Sequence, residues 1–161
     1  MKSTFRRDAV GWVVVLLNTL AALNSTYFFL GQVRVGVVGW LMMNTCAPSI
    51  ALFLLGFLVS SPMVMAAAGV LMFRYGTLGL FVFKWDGYNI IPQIGHILMT
   101  LAVIYILVDI IRHRRWKALI LGAVLGLAIL IPLMVVQGAW FEAHPEMLEA
   151  LFSGNLLPAS P

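Results

Sequence analysis

Five apolar stretches, roughly residues 9–30, 36–59, 63–83, 90–111 and 118–140, occupy most of this 161-residue chain. Each matches the ~20 apolar residues that a helix needs to cross a bilayer. In lipid the backbone polar groups must be satisfied within the segment itself, so such stretches cross as helices. Composition agrees: 62% of the residues are hydrophobic and only 10% are charged, where a soluble domain carries roughly a quarter. The expected fold is all-α, a polytopic integral membrane bundle of five transmembrane helices over residues 1–140. A short amphipathic or flexible tail, 141–161, follows it. The chain reads as one domain, without internal repeats or low-complexity tracts. The first stretch is too long for a signal-peptide core and lacks a small-residue cleavage site, so it reads as a retained span.

The separators are short and carry break signals: Gly31-Gln32-Val33-Arg34, Ser60-Ser61-Pro62, Lys84 through Asn89, and Arg112 through Lys117. Such connections make neighbouring helices antiparallel. With the N-terminus in the cytoplasm, that side holds seven basic residues: Lys2, Arg6, Arg7, Arg112, Arg114, Arg115 and Lys117. The other side holds two, Arg34 and Lys84. The positive-inside bias therefore puts the N-terminus in and the C-terminus out. All five tryptophans (Trp12, Trp40, Trp85, Trp116 and Trp140) fall near span ends, as an interfacial aromatic belt does. A bacterial inner membrane is the expected location. The net charge of +4 is thus a topology signal and not a nucleic-acid surface.

The tail is too short and too polar for a sixth span. Pro145 suits the first turn of a helix. Met147, Leu148, Leu151 and Phe152 then share one face while Glu146 and Glu149 stay wet, an interfacial or partner-docking pattern.

Arg74 stands inside the third apolar stretch, with no acid nearby in sequence. A charge at bilayer depth marks a bundle interior, a watery cavity or a partner. Counting the helix rise puts Arg74 ~16 Å from the cytoplasmic edge, close to the midplane. From the outer edge, His96 lies ~9 Å deep and Asn44 ~12 Å deep, with Asn18 and Asn24 bracketing that zone. Thr100 sits one turn below His96. These six residues are the candidate ligand-binding layer, and a cation among amides and an imidazole suits a carboxylate, a phosphate or a polarised carbonyl. The plainer alternative is that Asn and Thr here only hydrogen-bond neighbouring helices. Asp109 belongs near the cytoplasmic end, paired with Arg112 or His113. Asp86 belongs to the outer loop beside Lys84.

Other chemistries find less support. A membrane b-type haem needs two histidines at matched depth, and only His96 is intramembrane, so a haem would be shared with a partner chain. Met42, Met43 and Cys46 are soft ligands of the kind that select Cu(I), but Met is also a flexible core filler. No HExxH, acidic pair or phosphate-binding glycine loop is present, and the single Cys46 excludes an internal disulfide. Gly122 and Gly126 form a GxxxG suited to close packing against another helix, in the same chain or in a complex. Pro48 and Pro132 predict kinks within the second and fifth spans.

Arg74-Tyr75-Gly76 followed by His96-x-x-Met99 resembles the uncharacterised bacterial YpjA-type membrane proteins. Those carry a basic-Tyr-Gly step, a later Ser-His-x-x-Met step and a Pro-Asp-Ser-Pro segment near the second span. Here Asn44-Thr45-Cys46-Ala47-Pro48-Ser49 keeps the Pro and the Ser and lacks the Asp. The resemblance, over residues 16–112, implies that the basic residue and the histidine belong together.

The leading expectation is binding or transport of a small anionic or lipid-like molecule at this layer, with the lipid bilayer as surroundings. An accessory subunit, or homo-oligomer, with Arg74 and the glycine face turned to partners is the first alternative. An integral-membrane enzyme using a His96/Arg74 pair is the second.

Overall fold

The computed structural model describes residues 8–83, 85 and 90–153. Helix α1 (Ala9–Tyr27) starts at Asp8, whose carboxylate accepts the Gly11 N–H at 2.7 Å. It widens into a π-helical turn, Phe28–Val33, and stops at Arg34 in the left-handed region. There follow α2 (Gly36–Met43), α3 (Cys46–Leu58) and α4 (Pro62–Met72), the last capped by Ser61 with Pro62 in its first turn. A second π-helical turn, Phe73–Thr77, carries α4 on into the short α5 (Gly79–Val82). The bundle closes with α6 (Ile90–Arg112), α7 (Trp116–Ala143) and the tail helix α8 (Pro145–Ser153). No strand occurs among the described residues.

Four helical segments are long and apolar enough to cross a membrane: Ala9–Val33, Pro62–Val82, Ile90–Arg112 and Trp116–Ala143. The second apolar stretch is not one helix. It is broken into α2 and α3 at a 79° bend. Pro48 explains where: it cannot donate to the carbonyl of Asn44, four residues earlier, and its ring clashes with that carbonyl. Asn44 leaves the helical region at φ −125°, ψ 50°, and Pro48 becomes a first-turn residue of a new helix. The expected kink is a complete break.

Two matching turns reverse the chain. Ser60 and Arg114 adopt positive φ, 53° and 52°. Behind each, a pair of backbone bonds caps the preceding helix: Ser60 N to Phe57 O with Ser61 N to Gly56 O, and Arg114 N to Ile111 O with Arg115 N to Ile110 O. This is the Schellman pattern, built here without glycine. It also brings Arg115 back over the end of α6, where its guanidinium donates to Asp109 at 2.9 Å while His113 lies 3.1 Å from the same carboxylate. Asp109 therefore pairs with His113 and Arg115. Of the two expected partners, His113 is present at its helical spacing of four, while Arg115, returned by the left-handed turn, stands in place of Arg112.

Packing fixes the directions of the helices. Gly122 of α7 faces Met63 and Ala66 of α4, and Gly126 faces Ala67 and Val70, so α4 and α7 run parallel. Gly69 faces Ile106, Gly76 faces Met99 and Gly79 faces His96, so α6 runs against α4. Phe57, at the end of α3, packs on Trp12 at the start of α1, and Asn44 before α3 meets Ser25 late in α1, so these two are antiparallel. Helix α4 is central. Met65, Ala66, Ala67, Ala68, Gly69, Leu71 and Met72 are all buried, and the small residues among them, Ala66 to Gly69, let neighbouring helices approach. In lipid, where apolar burial gives no net drive, such close packing supplies the association energy.

The GxxxG of α7 is thus spent inside the chain, against α4. A Cβ at Gly122 would stand 2.5 Å from both Ala66 Cβ and the Met63 carbonyl oxygen. It is not a free surface for another subunit. Of the tail, Pro145–Ser153 is helical, with Phe152 stacked on Phe83 at 5.5 Å, and residues 154–161 lie outside the described residues.

Candidate functional site

The π-helical turn in the central helix presents Arg74. The Leu78 N–H reaches Phe73 O, five residues back, at 3.1 Å. Such bulges insert a residue into the helical register, and functional sites often contain them. The Arg74 guanidinium carbon lies 5.6 Å from the centroid of the Tyr75 ring, within cation–π range. Among the described residues Arg74 has no hydrogen bond and no ion pair. Its aliphatic stem borders an apolar cavity of about 340 Å³ between α4, α6 and α7, lined also by Gly69, Phe73, Val103, Ile106, Ala123 and Leu130, to which the guanidinium adds almost no surface.

The other expected members of the layer do not surround it. Asn18, 1% exposed, donates to Val14 O at 2.9 Å and across to Leu98 O of α6 at 3.1 Å, fastening α1 to α6. Asn44, at the helix break, donates to Ser25 Oγ at 3.1 Å. Thr100 donates to Thr77 Oγ1 at 3.1 Å and to His96 O at 2.9 Å. Asn24 is exposed on the outer face of α1. The polar residues are mostly separate helix-to-helix fasteners, although the Asn18 Oδ1 is buried without a hydrogen-bond partner among the described residues. Asn24 departs from the layer because α1 presents Asn18 and Ser25, not Asn24, to its neighbours.

His96 forms its own small site. Its ring stacks on Phe83 at 5.6 Å, and Gly79 leaves the room for it, since a Cβ there would sit 2.8 Å from Cε1. Gln93 donates from Nε2 to Phe83 O at 2.7 Å, which turns its Oε1 towards His96 Nδ1, 3.0 Å away. The imidazole must then donate from Nδ1. No contact joins His96 to Arg74: their levels on α6, marked by His96 itself and by Val103 beside Arg74, differ by two turns, ~10 Å. The pair needed for acid–base chemistry on an anion is not assembled.

A third cluster escapes the sequence reading. Gln137 of α7 donates from Nε2 to Met42 O and to Thr45 Oγ1, the latter at 3.1 Å. Its Oε1 accepts from the Tyr75 hydroxyl at 3.3 Å. Cys46 Sγ donates to Tyr75 O at 3.6 Å. One amide thus ties the open end of α2, the start of α3 and the π-helical turn together. Cys46 is engaged here, and Met42 and Met43 are buried in the packing. Among the described residues no three His, Cys, Asp or Glu side chains converge on a point where they would hold a metal ion. Gln137 was visible as the single amide in the fifth apolar stretch, and Gln93 as the residue one helical turn before His96. Lys84 and Asp86 lie outside the described residues, as do Lys2, Arg6 and Arg7.

Fold and site define an all-α chain with several helices fit to cross a membrane and a lone cation on the central one. No family model, characterised protein or solved structure matches it.

Proposed function

We propose that this is a five-pass membrane protein, N-terminus in and C-terminus out, that binds or moves a small anionic or lipid-like molecule at Arg74. The observation that carries the proposal is the state of that arginine: half-buried in the central helix, against the Tyr75 ring, with no hydrogen bond or ion pair among the described residues. Charge at this depth is costly unless something answers it. The described part of the chain supplies no counter-charge, so an anionic ligand is the natural complement.

The helix directions support five crossings. The chain leaves α1 at the far end from Trp12 and returns to Trp12 by the end of α3, so the bent pair carries it back across. The basic residues of the 112–117 turn then mark the cytoplasmic side, as positive-inside predicts. A bacterial inner membrane fits the resemblance in sequence. The subunit alternative loses its glycine face, which lies against α4. The enzyme alternative loses its His96/Arg74 pair.

The test is native mass spectrometry on wild type and Arg74→Ala, both purified in mild detergent. Wild type is expected to retain an anionic non-protein mass that Arg74→Ala lacks, with the variant still monodisperse. Equal adducts on both proteins would end the proposal.

A further inference from the structure

The turn that joins α6 to α7 is rich in cations, and the fold neutralises only some of them. Arg115 and His113 converge on Asp109, at 2.9 Å and 3.1 Å from its carboxylate. The second acid at this end, Asp8, accepts the Gly11 N–H at 2.7 Å and the Tyr105 hydroxyl at 3.0 Å. Glu142, Glu146 and Glu149 lie at the opposite end of α7 or beyond it. Arg112, Arg114 and Lys117 are left over. All three are exposed, and among the described residues none has a hydrogen bond or an ion pair. Trp116, beside Lys117 in sequence, is 50% exposed.

Orienting a bundle needs basic residues at one end, but it does not need them unanswered by any acid. The backbone holds these three close together. Arg114 takes the left-handed φ of 52°, and the bonds from Arg114 N to Ile111 O and from Arg115 N to Ile110 O fix the reversal. Helix α7 starts without a side-chain cap, so the positive end of its dipole adds to their field. A turn between two membrane-crossing helices lies at the level of the lipid headgroups, where an exposed indole is also at home. We infer that the surface formed by Arg112, Arg114 and Lys117 docks the phosphate headgroup of an anionic phospholipid. The guanidinium groups donate to the phosphate oxygens in charge-assisted hydrogen bonds, and the Lys117 ammonium adds a point charge. The Trp116 ring lies among the headgroups beside them. Arg74, level with Val103 of α6, is ~14 Å deeper than Arg112, so this site does not depend on it.

The experiment titrates the full chain, in mild detergent, with dioleoyl phosphatidylglycerol and separately with dioleoyl phosphatidylcholine. Native mass spectrometry reads the affinity of the first lipid bound. Wild type is expected to prefer the anionic lipid. Equal affinities for the two overturn the inference and need no variant to fold. Arg114→Gln should weaken phosphatidylglycerol about fivefold, the worth of one basic residue near an anionic surface. Replacing Arg112, Arg114 and Lys117 together by Gln should weaken it about a hundredfold by the same measure and leave phosphatidylcholine unchanged. Arg34→Gln removes an equal charge from a residue far from this turn and should change nothing. If Arg34→Gln and Arg114→Gln weaken binding equally, net charge alone recruits the lipid and the inference is overturned. Arg74→Ala should titrate like wild type. If it loses phosphatidylglycerol while the triple variant keeps it, the lipid belongs to Arg74 and not to the turn. If an acidic protein copurifies with wild type and is lost from the triple variant, while lipid affinity is unchanged, the surface belongs to that protein and the inference likewise falls.

Discussion

Arg74 and Gly122 show how much a single residue can decide in a chain of this composition. Arg74 is held on the one helix that three others pack against, so the packing of that helix sets where its guanidinium lies. Gly122 decides how closely α7 meets that helix. Adding a methyl group there drives Cβ to 2.5 Å from a backbone oxygen, which cannot rotate away. Gly122→Ala is expected to lower stability by ~1–3 kcal/mol, the cost of overpacking. Gly138→Ala, where nothing lies within 4 Å, should leave it unchanged. Thermal unfolding of the two variants in the same detergent makes the comparison, and equal melting temperatures would refute it. Both arginine and glycines stand out in the sequence. Which way the glycines face does not, because one apolar surrounding resembles another in a composition.

Among the elements, the broken pair α2–α3 carries the most consequence. Breaking a helix inside the bundle frees backbone groups that lipid cannot satisfy. Gln137 answers one of them, the Met42 carbonyl, and anchors the break to α7. Gln137→Leu leaves that oxygen without the amide, and the expected cost is ~1–3 kcal/mol, the penalty for a buried unsatisfied acceptor. The same change releases the Tyr75 hydroxyl. If Gln137→Leu melts at the wild-type temperature, the fastening role is wrong. Pro48 announced a distortion from the sequence, but not its size. The 79° bend depends on the partners that α7 and α1 offer to the opened backbone. The π-helical turn at Phe73–Thr77 was not legible at all, since it arises from how α4 and α5 must both meet α6.

For the molecule as a whole, the helix directions make a topological prediction. In a Cys46→Ala background, single cysteines at Val35, Arg114 and Ser153 report on the two sides of the membrane. Five crossings place Val35 and Ser153 outside and Arg114 inside. A membrane-impermeant maleimide on intact cells should label the first and last, and reach Arg114→Cys only after lysis. Were α2–α3 a re-entrant loop, Val35→Cys and Arg114→Cys would label together and Ser153→Cys would not.

By itself the sequence determined the class: long apolar stretches and short polar breaks leave an all-α fold whose helices are long and apolar enough to cross a membrane. It also picked out Arg74, because one charge in an apolar run needs no structure to be seen. Tertiary structure alone decided which polar residues belong together. Depth along a helix is read from residue number, but azimuth depends on which face each neighbour covers. Asn18, Asn44 and Thr100 sit near a common depth and yet fasten different helix pairs, while the Arg74 guanidinium lies over the Tyr75 ring, which none of them touches. In a bilayer every face of such a helix is apolar, so no amphipathic stripe exists to announce the inward side.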